Sequence, residues 1–165
     1  MLIKLKNKNT LLFDNFKFKC CIGKNGLKKY KKEGDRSTPK GIFSLEKLYF
    51  RKDRIKKLKT DLKLKKIKKN IGWCDDPNSK FYNREIKIKK NLDINYENLY
   101  RKDHKYDIVI VIGYNYRKAI KGNGSAIFIH LTKNYLPTNG CIALKKKDLV
   151  ILSKIIKKKT KIKIS

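Results

Sequence analysis

Gly124-Ser125-Ala126-Ile127-Phe128-Ile129-His130, followed by Pro137-Thr138-Asn139-Gly140-Cys141-Ile142-Ala143-Leu144, decides how this chain is read. Residues 126–129 are a short apolar run of the kind that forms a buried strand, so His130 falls at a strand end. Residues 131–139 are more polar and contain Pro137, which marks a loop. Gly140 directly precedes the cysteine, and Ile142-Ala143-Leu144 resumes the apolar pattern. A loop that leaves and returns at neighbouring strand ends is expected to bring the imidazole beside the thiol.

The chemistry favours such a pair. A free thiol is mostly protonated at neutral pH, and the thiolate is the nucleophile. An imidazole can take the thiol proton, hold the thiolate by charge and return a proton to the leaving amine. Cys141 is therefore the candidate nucleophile and His130 the candidate base. Gly140 has no side chain, so a substrate can approach its backbone closely. Backbone N–H groups of Gly140 and Cys141 are expected to face a developing oxyanion. The residues alone also allow a plainer reading, a buried strand cysteine with an unrelated surface histidine.

The Ile-His … Thr-Asn-Gly-Cys-Ile-Ala-Leu pattern resembles the active-site signature of L,D-transpeptidases with the YkuD-type catalytic domain. Gly34-Asp35-Arg36-Ser37-Thr38-Pro39-Lys40-Gly41-Ile42-Phe43 resembles that family's Gly-Asp-x-x-Thr-Pro-x-Gly-x-Phe segment. Gly72-Trp73-Cys74-Asp75-Asp76-Pro77, with Tyr82-Asn83, is similar to a segment of one bacterial branch. The resemblance runs from about residue 16 to the C-terminus. Two positions depart from the common pattern. Asn139 stands where many members carry a second histidine, and Ala143 stands where an arginine is usual.

The resemblance implies a cysteine acyltransferase acting on peptidoglycan stem peptides through a thioester, with L,D-carboxypeptidase activity as the alternative. It implies Cys141, His130 and Gly140 as catalytic, and Thr138, Asn139, Trp73 and Asp75 as substrate-binding. It also implies that the segment around Thr38 shapes the cleft. No cofactor and no metal are implied. The expected location is the cell envelope or periplasm, and the expected state a monomer.

One domain is the natural division of 165 residues. A hydrophobic fraction of 40% supplies a core despite a charged fraction of 36%. The net charge of +31 invites a nucleic-acid reading, because lysines displace counterions from phosphates. Against it, only six of the 45 basic residues are Arg, the residue that reads phosphates and bases bidentately. The lysines are scattered through every segment, and no known nucleic-acid module is present. A non-enzymatic binder of anionic polymer or nucleic acid remains the competing class. Residues 1–10 alternate apolar residues with Lys and lack the continuous apolar core of a signal peptide. No run approaches the length of a membrane span.

Residues 11–13 and 16–22 read as strands, and Asn25-Gly26 predicts a hairpin. Cys20 and Cys21 point to opposite strand faces, so at most one is expected to be buried. A redox role for Cys20, Cys21 and Cys74 is a third possibility. No Cys-x-x-Cys or His-x3-His spacing supports a zinc site. Residues 53–70 are ambiguous, and the resemblance favours an irregular excursion over a long helix. Residues 106–112 are nearly continuously apolar and β-branched, the pattern of a central strand. Leu149, Leu152, Ile155 and Ile156 recur at helical spacing, and residues 161–164 alternate as a final strand. The expected fold is mainly β, a sandwich or mixed sheet with a C-terminal helix.

Overall fold

The computed structural model describes residues 1–165. The strands are β1 (Leu2–Lys6), β2 (Thr10–Phe13), β3 (Phe16–Cys21), β4 (Leu27–Lys28), β5 (Thr38–Pro39), β6 (Gly41–Phe50) and β7 (Lys63–Lys66). They continue as β8 (Ile71–Cys74), β9 (Glu85–Lys87), β10 (Tyr96–Asn98), β11 (Ile108–Ile112), β12 (Phe128–Leu131) and β13 (Ile142–Leu144). The single helix α1 (Lys146–Ile155) and the closing strand β14 (Lys161–Ile164) complete the chain. The fold is mainly β.

Nine strands join in the order β11-β12-β13-β3-β2-β1-β14-β6-β7, and β11 also pairs with β6. That last pairing closes the circuit. Strand β3 bends between two sheets, giving residues 16–19 to β2 and residues 20–21 to β13. Strand β6 does the same, giving residues 41–44 to β14 and residues 45–50 to β11. The two sheets therefore share β3 and β6 and enclose one main core. Ile3, Leu11, Leu48, Ile110, Ile129, Ile142 and Ile162 are all fully buried in it. Leu149, Leu152 and Ile156 from α1 and its end complete it, which accounts for their helical spacing.

Strand β11 shows why its run is unbroken by polar residues. Ile108, Ile110 and Ile112 face the main core, whereas Val109 and Val111 face a second one. The second core is covered by the three-stranded sheet β10-β8-β9 and contains Tyr49, Trp73, Tyr106, Phe128 and Cys141. A strand covered on both faces carries no alternation.

Two expectations are corrected. The Asn25-Gly26 turn forms, with Gly26 N–H donating to Gly23 O at 2.9 Å, but no hairpin follows. Strand β4 is two residues long and pairs in parallel with β5 instead of returning along β3. Cys20 and Cys21 are both buried, because the loop after β12 covers the second face, and Cys21 Sγ donates to Leu136 O at 3.1 Å. Strand β1, which the sequence reading did not mark, lies between β2 and β14. Residues 53–70 contain no helix. They include only β7, a lysine-rich edge strand parallel to β6.

Candidate active site

The parallel pair β12–β13 sets the site. His130 stands opposite Ala143, and Ile129 opposite Ile142. Side chains alternate across a strand, so Ile129, Leu131, Ile142 and Leu144 enter the main core. Phe128, His130, Cys141 and Ala143 then share the other face. Cys141 and His130 are diagonal neighbours there, 6–7% exposed, and both line a cleft of about 820 Å³.

No hydrogen bond joins the two. The Cys141 thiol donates to Ala126 O at 3.2 Å and accepts from Phe128 N–H at 3.3 Å. His130 Nδ1 lies 2.9 Å from Leu131 O, a group that can only accept, so Nδ1 carries the proton. The Nε2 lone pair is left as the basic position. Burial pushes the Cys141 thiol up to about 12, with the Glu97 carboxylate adding to it. Burial also lowers His130 to about 4, with Lys105 and Arg101 opposing a further positive charge. Burial thus favours the neutral form of both groups.

The loop that carries the thiol is clamped by side chains distant in sequence. Thr38 Oγ1 donates to Gly140 O at 2.8 Å and accepts from Gly23 N–H at 2.9 Å. A side chain at Gly140, whose φ is +134°, would put its Cβ 2.9 Å from Ser37 O. One at Gly23 would meet Arg36 O at 2.5 Å. Glycine is required at both places by close backbone approach. Thr138 Oγ1 donates to Cys141 O at 2.6 Å and accepts from Gly140 N–H at 3.1 Å. The Gly140 N–H is thus already engaged, which departs from the expectation that it faces an oxyanion. The N–H of Cys141 donates to no protein acceptor.

Thr138 and Asn139 both line the cleft, Thr138 as a brace of the Cys141 loop and Asn139 as an exposed rim residue. Asp75 also lines it, half-buried, and its Oδ1 has no hydrogen-bond partner. Ser125 Oγ, on the same cleft, is unpartnered as well. Trp73 is not a lining residue. It is 1% exposed, with its ring edge-on to Phe128 at 5.1 Å and stacked on Tyr116 at 5.9 Å. Its indole N–H donates to Asn83 Oδ1 at 2.9 Å.

Asn83 was not singled out by chemistry, yet it supports the thiol's acceptor. Its Oδ1 also accepts from Ala126 N–H at 3.0 Å, and its Nδ2 donates to Tyr114 O and Asn115 O. Ala126 has φ of +51°, a left-handed conformation strained for a residue with a Cβ. Asn83 holds it there. Tyr106 was missed too. Its ring packs edge-on to His130 at 5.2 Å and its hydroxyl donates to Glu97 Oε1 at 2.6 Å. Both carried a sequence signal only through the family resemblance, Asn83 in the Tyr82-Asn83 pair and Tyr106 in the Tyr106-Asp107 strand, which also fits that bacterial branch.

The sequence matches the family of the L,D-transpeptidase catalytic domain, YkuD, over residues 2–164. The chain belongs to the L,D-transpeptidase family. The match takes in β1 and β2, so the N-terminal strands are part of this domain. No curated protein and no solved structure matches the chain. In this L,D-transpeptidase domain, no helix is long and apolar enough to cross a membrane.

Proposed function

We propose that the protein is a cysteine-dependent L,D-transpeptidase that acts on peptidoglycan stem peptides. The observation that supports this best is the cleft shared by the Cys141 thiol and the His130 ring on one face of β12–β13. In this reading the Cys141 sulfur attacks the carbonyl before a terminal D-amino acid. A C–S bond forms as the thiol proton passes to His130 Nε2. The Cys141 N–H is the available backbone donor for the oxyanion.

Collapse breaks the C–N bond, and the proton on His130 goes to the leaving amine. The thioester is resolved by an amine of a second stem, giving a crosslink. Water in that place makes the same chain a carboxypeptidase. Because burial favours the neutral form of both groups, proton transfer accompanies attack instead of preceding it. The substrate must displace the thiol from its bond to Ala126 O. Thr138, Asn139 and Asp75, all on the cleft lining, are the proposed substrate contacts. Trp73 supports the cleft from beneath. The cell envelope is the corresponding place of action, and a monomer suffices because one chain carries both groups.

The test is intact mass spectrometry after incubation with a carbapenem, which acylates the nucleophilic thiol of this family. A single adduct on the wild type, absent from Cys141→Ala, is the expected result. No adduct on folded, reduced protein would refute the reading. Assays on muropeptides then separate crosslinking from hydrolysis.

A further inference from the structure

The sheet register gathers lysines that look scattered in the sequence. Across five strands, Ile42 of β6, Lys163 of β14, Lys4 of β1, Leu12 of β2 and Lys17 of β3 stand side by side in one row. A flanking row holds Ser44, Lys161 and Leu2, and another holds Lys6, Thr10 and Lys19. The residues between them, Ile3, Leu5, Leu11, Phe18 and Ile162, point into the core. All six lysines are exposed, and Ile42 is 58% exposed.

No carboxylate stands in these rows. Asp14 is the one acidic residue among residues 1–32, and none follows Asp148. The carboxylates sit elsewhere, with Glu33, Asp75 and Glu97 lining the cleft. The six lysines therefore form one cationic sheet face, with Glu46, which accepts from Ser44 Oγ at 2.6 Å, at its β6 edge. That face reaches the rim of the cleft, because Lys19 Nζ lies 4.7 Å from the ring of Tyr135, in the loop between His130 and Cys141.

We propose that this face docks the enzyme on an anionic lipid bilayer. Five strands at a spacing of about 4.8 Å make a broad face, suited to an extended surface more than to one polymer strand. Lysine ammoniums are point charges that pair with lipid phosphates without needing bidentate geometry. The apolar Leu2, Leu12 and Ile42 among them can enter the headgroup boundary. The three rows hold no arginine and no aromatic residue, so they lack the stacking platform that single-stranded nucleic acid uses. The proposal is independent of the catalytic reading.

The test is co-sedimentation with vesicles containing phosphatidylglycerol against vesicles of phosphatidylcholine alone. Two charge-matched variants are compared: Lys4→Glu/Lys17→Glu/Lys163→Glu on the face, and Lys66→Glu/Lys69→Glu/Lys90→Glu away from it. The wild type should bind only the anionic vesicles, and more weakly as salt rises. The face variant should bind about tenfold or more weakly, and the control variant nearly as the wild type. Melting temperature and far-ultraviolet circular dichroism check that both variants fold. Equal losses in the two variants overturn the proposal, as does a wild type that ignores anionic vesicles. Face-dependent binding to soluble polyphosphate without vesicle binding would assign the face to a polymer and overturn the bilayer.

Discussion

The Cys141 thiol donates its proton to the carbonyl of Ala126, 3.2 Å away, while His130 turns its own N–H to Leu131 O. The proposed nucleophile and its proposed base thus lie on one face of a parallel strand pair, each occupied by a backbone carbonyl. Binding of the substrate must couple them. This arrangement keeps an unliganded thiol quiet and predicts how it responds to reagents.

Cys141 in the free enzyme should react slowly with iodoacetamide, because burial holds its thiol up at about 12. Near pH 8 the rate should fall at least about a hundredfold below that of a free cysteine. His130→Gln should leave this slow alkylation nearly unchanged but abolish acylation by carbapenem. Peptide mapping after alkylation at several pH values reads both. Fast alkylation lost with the imidazole would instead indicate a resting ion pair.

His130 also ties stability to pH. Its imidazole titrates near 4 when folded against 6.5 as an unperturbed group. Between those values the unfolded chain binds a proton that the folded chain excludes, so stability falls as pH drops from 6.5 towards 4. The full contribution is about 3 kcal/mol. Urea melts of wild type and His130→Gln across this window should show the wild type losing more stability. Their difference removes the other titrating groups from the comparison.

Thr38→Val removes a hydroxyl while keeping the shape. It leaves Gly140 O and Gly23 N–H without their partner in a fully buried place. The expected cost is about 2–3 kcal/mol, with a lower acylation rate at Cys141. Thermal melting and carbapenem kinetics check the two parts separately. Thr38→Ser should recover most of both.

Gly140→Ala must strain the backbone at φ +134° and push against Ser37 O. The thiol loop should shift, lowering acylation about a hundredfold or more. Gly26→Ala, at a glycine with open space around it, is the comparison and should cost only about 1 kcal/mol for its positive φ. Melting curves and acylation rates of the pair distinguish a local catalytic defect from general unfolding.

Asn83→Ala should release Ala126 from its left-handed conformation and free the Trp73 indole N–H. A loss of about 2–4 kcal/mol is expected, since several buried partners are orphaned together. Trp73→Phe should cost less, because the ring contacts with Phe128 and Tyr116 survive. Tryptophan fluorescence and denaturant melts measure both.

Local sequence determined what depends on short-range patterning. The β-branched run of β11, the helical spacing of Leu149 and Leu152, and the His130 and Cys141 stretch were legible because period and turn chemistry are local. The clamp of Thr38 on Gly140 joins residues 102 positions apart, and nothing near either one announces it. Strand β1 was overlooked, because alternating Lys and apolar residues look like solvated chain until β2 and β14 flank them. The Asn25-Gly26 turn formed without a hairpin, because pairing of β4 with β5 outweighed the local signal.

The sequence by itself determined the mainly β fold and the family and singled out Cys141 and His130 as the candidate pair, since each rests on local stretches of the chain. Tertiary structure alone decided which groups those two residues bond at rest, that Gly140 N–H is occupied, and that Trp73 lies beneath the cleft. It also decided that six lysines form one face. Burial, hydrogen-bond competition and strand register are properties of neighbours in space, and chain order does not list those neighbours.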